Sequence, residues 1–141
     1  MSQMGDGSFS CQARLREMFD RVVLRKDASL IPVFYDTGFR LYSNGQEQDY
    51  QAFLEGHERL YATGISYAAS YDEDAWVESE DEVAGRMWIT TTKPGQPSTR
   101  IEVILVARFC DGRLHRLWEL TWPDWSNLPA VARYQPEQTP E

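Results

Sequence analysis

Apolar residues recur at every third and fourth position in the first half of the chain and at every second position afterwards, so helices are expected first and long strands later. Phe9, Ala13, Leu15, Met18, Phe19, Val22 and Val23 predict one amphipathic helix over about 9–26, with Ser8 or Ser10 as N-cap. Asp27-Ala28-Ser29 caps a second, short helical turn that includes Pro32 and runs to about Tyr35. Thr37–Ser43 alternates, Phe39 and Leu41 against Arg40 and Tyr42, and reads as a first strand closed by Asn44-Gly45. Tyr50, Phe53, Leu54, His57, Leu60 and Tyr61 form one stripe of a helix over 49–62, with Asp49 as N-cap and Gly64 as its stop. The period then changes to two. Ser66–Ser79, Glu82–Lys93, Ser98–Cys110 and Arg113–Trp122 are read as four successive long strands.

The last two strands carry the strongest local signal. Asp111-Gly112 sits between alternating apolar runs, and a type I′ turn needs positive φ at both central residues. A two-residue loop pairs Cys110 with Arg113 and Phe109 with Leu114, and an unbroken ladder is expected outward from there. On that register Glu102 and Glu119 share one face with Ile104, Val106 and Leu117 and lie diagonally adjacent. Carboxylates on an apolar face are costly unless bonded, paired or used. Glu119 and Glu102 are therefore candidate acids or bases, although Arg100 stands close enough to pair with Glu102.

Helices followed by an antiparallel meander give an α+β layout, and strands this long twist too strongly to stay flat. The expected fold is a cone-shaped curled antiparallel sheet with the N-terminal helices on its concave face. One domain over 9–126 is expected, with loose termini at 1–8 and 127–141. A net charge of −8, with no basic cluster longer than Arg25-Lys26, argues against nucleic acid and against anionic membranes. No apolar run reaches the ~20 residues of a membrane span, and no secretory signal is visible. Cys11 and Cys110 lack metal or redox spacing, which makes the cytoplasm the expected compartment. No phosphate loop, nucleophile elbow or His/Cys cluster is present, so neither a cofactor nor a metal is expected.

FYDTGFRLYSNG, DYQAFLEGHERLY and DGRLHRLWELTWPDW make the chain resemble the nuclear transport factor 2-like superfamily, more narrowly its SnoaL-like and ketosteroid-isomerase-like branch. The resemblance implies a cystatin-like cone with a ligand cavity, and a superfamily of isomerases, cyclases, dehydratases, epoxide hydrolases and small-molecule binders. No Asp on a strand face matches the general base of the ketosteroid isomerases. Tyr42-Ser43-Asn44, Arg100-Ile101-Glu102 and Glu119 resemble the order of limonene epoxide hydrolases, with Glu in place of Asp twice. Fold alone does not select among these activities.

His57, in the middle of the helix stripe, would face the cavity, and imidazole is the usual proton carrier near neutral pH. Tyr35, Tyr42 and Tyr61 are candidates to orient a substrate. Met87, Ile89, Ile104 and Val106 would supply apolar wall. His115 is expected at the rim. The expected function is a cofactor-independent acid/base enzyme acting on an apolar cyclic molecule; the alternative is a non-catalytic binding or interaction module of the same shape. On the opposite sheet face, Arg86, Trp88, Arg116, Trp118 and Trp122 form an aromatic patch, with Val103 and Leu105 expected beneath. A patch of that kind marks an interface, here a homodimer.

Overall fold

The first helix begins where Ser10 accepts a hydrogen bond from the Ala13 N–H at 3.1 Å, which satisfies one of the orphan donors of the first turn. The structure is a computed structural model and describes residues 9–124. The expectations for 1–8 and for the tail from Trp125 onward lie outside the described residues. Helix α1 spans Cys11–Met18 and continues as a wider π-helical stretch over Phe19–Leu24. The wider turn lets Met18, Phe19 and Val23 all reach the cavity wall while Leu15 and Val22 enter the core. Asp27 then caps a 3-10 turn, accepting from the Ser29 N–H, and leads into α2 (Ile31–Phe34).

Strand β1 (Tyr35–Ser43) is followed by a turn at Asn44 and Gly45, both with positive φ, and by a short returning strand β2 (Gln46–Asp49). Helix α3 (Tyr50–Tyr61) starts at Asp49, whose carboxylate accepts from the Ala52 N–H at 2.9 Å. The remaining strands are β3 (Ser66–Tyr71), β4 (Val77–Glu78), β5 (Glu82–Thr92), β6 (Thr99–Cys110) and β7 (Arg113–Trp122). They form one curled sheet in the order β2-β1-β7-β6-β5-β3, with β4 paired to the start of β5. The cone therefore stands as expected, with the helices inside its curve.

Besides the returning strand β2 and the π-helical end of the first helix, neither of them expected, three details differ from the sequence reading. The sheet is mixed, because β1 pairs with β7 in parallel. The long strand expected over 66–79 is broken: Asp72–Ala75 turns, and Trp76 lies over Gly85, where an added Cβ would overlap the indole. The third difference bears most on the site. The hairpin pairs Cys110 with Arg113 and Phe109 with Leu114 as expected, but Arg108 then pairs with Arg116. His115 is thus an extra residue, a β-bulge, and every later position of β7 changes its phase relative to β6.

The result is two chemically distinct faces. Val83, Met87, Ile89, Ile101, Val103, Leu105, Ala107, Phe109, Leu114 and Leu117 are buried toward the helices. Arg86, Trp88, Glu102, Ile104, Val106, Arg108, Arg116, Trp118, Leu120 and Trp122 alternate with them on the outer face. Val103 and Leu105 therefore do not pack beneath the outer tryptophans; Ile104, Val106 and Leu120 are the aliphatic neighbours there, at 46%, 40% and 67% exposure.

Candidate functional site

The wall of the cone cavity is built from four sources. The end of the first helix contributes Met18, Phe19 and Val23; the β1–β2 hairpin gives Leu41, Ser43, Gln46 and Gln48. Helix α3 supplies Phe53, His57, Leu60 and Tyr61, and the sheet adds Tyr35, Tyr67, Ile89, Leu117 and Glu119, with Asp124 just beyond β7. Its volume is about 130 Å³. At roughly 30 Å³ per water, that holds about four waters or one small ring compound.

Glu119 reaches this cavity because of the bulge. With His115 as the extra residue, Glu119 pairs with Leu105 and shares the inner face with Leu117 and Thr121. Its carboxylate accepts a hydrogen bond from Ser43 Oγ at 2.8 Å, and its backbone carbonyl accepts from the Asn44 N–H at 3.2 Å. Asn44 also exchanges two bonds with Thr121, donating to Oγ1 at 2.7 Å and accepting from the backbone N–H at 2.9 Å. The end of β1 is thus fastened to β7 on both sides of the acid, which holds the carboxylate at a defined place in the wall.

His57 comes from the opposite side. Its Nδ1 lies 2.8 Å from the Phe53 carbonyl one turn back. A carbonyl only accepts, so Nδ1 carries the proton and Nε2 of the neutral ring is the acceptor. The ring sits 4.1 Å from the Phe53 ring and 5.4 Å from that of Tyr61, centre to centre. The residue is half-buried, with an edge of its ring on the cavity. Burial is the largest influence on its basicity and pushes its pKa down to about 4, against the weaker opposing effect of the Phe53 carbonyl. The imidazole is therefore neutral at pH 7. Tyr35, almost fully buried among Phe39 and Phe53, donates its hydroxyl to the Met18 sulfur at 3.0 Å.

Other sequence candidates lie elsewhere. Glu102 is on the outer face, where Arg86 donates to it at 2.7 Å and to Asp72 at 2.8 Å. Glu102 thus pairs with Arg86 rather than Arg100, and Arg86's bond to Asp72 holds the Asp72 carboxyl below its usual range. Ile104 and Val106 are outer-face residues, inverted by the bulge, and Met87 is sealed in the core instead of lining the cavity. Tyr42 points outward and stacks on Trp118 at 6.0 Å. Of Tyr42, Asn44, Arg100, Glu102 and Glu119, which carried the epoxide-hydrolase resemblance, only Glu119 lines the cavity. His115 donates to Asp36 at 2.9 Å, an interaction that bridges the β7 bulge to the irregular start of β1 and holds the Asp36 carboxyl below its ordinary range.

Sequence reading missed Ser43, Gln46, Gln48, Tyr67 and Asp124. The first three were within reach: Phe39, Leu41 and Ser43 share a parity that excludes Tyr42, and Asn44-Gly45 is itself a hairpin signal that calls for a returning strand. Among the described residues, no group of three His, Cys, Asp or Glu side chains could hold a metal ion, and no helix is long and apolar enough to cross a membrane.

No family model matches the chain, and no curated protein matches it. Solved structures do match by shape. An LEH-like epoxide hydrolase from M. tuberculosis superposes with a TM-score of 0.66 at 11% identity, covering 85% of this chain and 88% of that one. PrhC from Penicillium brasilianum gives 0.66 at 15% identity, with 78% of each chain covered. An NTF2-like protein from Exiguobacterium gives 0.62 at 20% identity, with 78% of this chain and 98% of that one covered. At such identities the likeness speaks for the fold, and it agrees with the curled sheet, the helices inside it and the cavity between them: the chain has the cone fold of the nuclear transport factor 2-like superfamily.

Proposed function

We propose that the protein is a cofactor-independent acid/base enzyme that binds an apolar cyclic molecule in the cone cavity. The observation that carries this reading is that Glu119 and His57 line one cavity whose remaining wall is mostly aromatic and aliphatic. A carboxyl group and a neutral imidazole lining the same cavity are suited to taking a proton from one atom of a substrate and returning it to another. Isomerisation, dehydration, cyclisation and hydrolysis all use that pairing. Tyr61 and Tyr67, on the same wall, are positioned to orient a carbonyl or hydroxyl group of the substrate. Among the solved structures of this shape is an epoxide hydrolase, which supports small-molecule chemistry in such a cavity without identifying the reaction here.

A second reading, a binder without catalysis, is favoured by the Ser43–Glu119 hydrogen bond, which already engages one carboxylate oxygen. The two part at a single substitution. Glu119→Gln keeps the shape of the side chain and its contact with Ser43. For an enzyme, conversion of ring ketones, enones or epoxides, followed by chromatography and mass spectrometry, falls by at least a hundredfold while the melting temperature stays within a few degrees. A stability loss of several kcal/mol with no effect on any ligand identifies a structural acid and defeats the reading.

The outer sheet face supports a homodimer. Trp88 is flanked by Arg86 and Arg100, each with its guanidinium carbon 4.6 Å from the ring centre, and Arg108 stands 5.1 Å from Trp118. Trp122 is 76% exposed beside Leu120 and Ile104. An aromatic and aliphatic patch rimmed by charge is the composition of a protein interface. The buried Cys11 and exposed Cys110 are both free thiols, in keeping with the cytoplasm as the compartment.

A further inference from the structure

The cavity wall is sorted by depth. Met18, Phe19, Phe53, Leu60, Ile89 and Leu117 are its buried members and carry apolar side chains. Tyr35 is buried with them, its hydroxyl turned to the Met18 sulfur. The polar members among the described residues, Ser43, Gln46, Gln48, His57, Glu119 and Asp124, are all partly or largely open to solvent, as are Tyr61 and Tyr67. The parallel pair β1 and β7 shows how the chain builds this gradient. Both strands pass toward the rim in step: Leu41 pairs with Leu117, and two residues on, Ser43 pairs with Glu119 and donates to it at 2.8 Å.

We propose that the cavity takes a compound of one ring with a single polar end, ring first: the apolar end rests on the buried floor, and the polar end, where the chemistry occurs, stays at the rim at the level of Glu119 and His57. The inference rests on the cavity being the functional site and specifies the size and polarity of what enters it. The volume of about 130 Å³ is close to the roughly 150 Å³ of an apolar cavity that takes one benzene ring, so a second fused ring finds no room on the floor. A carbonyl or hydroxyl carried down to the floor would exchange its hydrogen bonds to water for contact with hydrocarbon, which is unfavourable. The same group at the rim stays in reach of water. Burying the ring instead gains in proportion to the apolar area removed from water. The gradient therefore selects orientation as well as size, and it discriminates against sugars and other compounds with polar groups on every side.

The test uses 4-methylcyclohexanone, with a carbonyl at one end and a methyl group at the other, and the full chain labelled with ¹³C at the methyl groups of Ile, Leu and Met. Nuclear Overhauser contacts from the ligand's methyl protons to Met18, Ile89 and Leu117 should be several-fold stronger than those from the methylene protons beside its carbonyl. The reverse order overturns the orientation. 4-Hydroxycyclohexanone, which carries a hydroxyl in place of that methyl, should bind at least tenfold more weakly, and equal affinity overturns the apolar floor. The bicyclic 2-decalone should also bind the wild type at least tenfold more weakly. Leu117→Ala, or Ile89→Ala where the first does not fold, should narrow that gap several-fold; a wild type that takes both ketones equally, or a gap unchanged in the variant, overturns the limit of one ring. These adverse results leave the cavity standing as a ligand site. Failure of every probe to shift the three methyl signals overturns the inference and the cavity reading together.

Discussion

His57 couples the cavity to pH through stability. Its folded-state pKa of about 4 lies below the ordinary histidine value near 6.5 because burial opposes the charged ring. The unfolded chain therefore takes up a proton at a higher pH than the folded one does, and stability falls as pH drops through the window from 6.5 to 4. Below that window both states are protonated and the loss is complete. Between pH 7 and pH 5 the expected loss is about 2 kcal/mol by this linkage. Urea denaturation of the wild type and of His57→Gln at the two pH values checks it. The variant should lose markedly less than the wild type over that interval; parallel losses would mean that the imidazole titrates normally. Carboxylates held low, such as Asp36 under the His115 hydrogen bond, act in a separate range: their contribution is present above the usual Asp value and is lost as pH falls through their depressed folded values.

The β6–β7 hairpin shows at the scale of elements what a sequence carries and what it does not. Its turn, its first two pairs and both strand limits were legible from Asp111-Gly112 and the alternation around it. The inner face of β6 was read the wrong way round, although Ile101, Val103, Leu105, Ala107 and Phe109 contain no polar residue while Arg100, Glu102 and Arg108 occupy the other parity. The bulge was not legible. A two-residue loop dictates only the pairs beside it, and nothing in Leu114-His115-Arg116 announces an extra residue. Assuming an unbroken ladder inverted β6 and put Glu102, Ile104 and Val106 in the cavity. It also made two acids neighbours that stand on opposite faces. The helices were readable because caps and stripes are local, whereas the parallel pairing of β1 with β7 depends on contacts distant in sequence. The bulge makes a prediction of its own. Deleting His115 removes the phase change, so Leu117, Glu119 and Thr121 would turn outward while Trp118 and Leu120 turned in. Thermal unfolding should then show a loss of more than about 4 kcal/mol. A variant of near wild-type stability would show that β7 can slide to restore the inner face.

At the scale of the whole molecule the cone has two surfaces of different chemistry. Its inside holds a small, acidic, aromatic-walled cavity; its outside presents the tryptophan and arginine patch. A dimer formed through that outer face is expected, burying on the order of 1,200–2,000 Å² in total as stable interfaces do. Trp118→Glu sets a carboxylate against Tyr42 and among Val106 and Leu120, and should convert the species to monomer in sedimentation at micromolar concentration while the fold persists by circular dichroism. A wild type that sediments as a monomer under the same conditions contradicts the assignment. Because the two surfaces lie on opposite sides of one sheet, loss of the dimer should leave ligand binding inside the cone largely intact.

Whether this protein acts through the cavity lined by Glu119 and His57 is decided by a crystallographic soak of the wild type with a mixed set of small ring compounds bearing amine, hydroxyl and ketone groups. Density is expected inside the cone, with a polar atom of the bound compound within hydrogen-bonding distance of the Glu119 carboxylate or of His57 Nε2. Compounds bound solely on the outer face, with the cavity filled by nothing but water in every crystal, would contradict it.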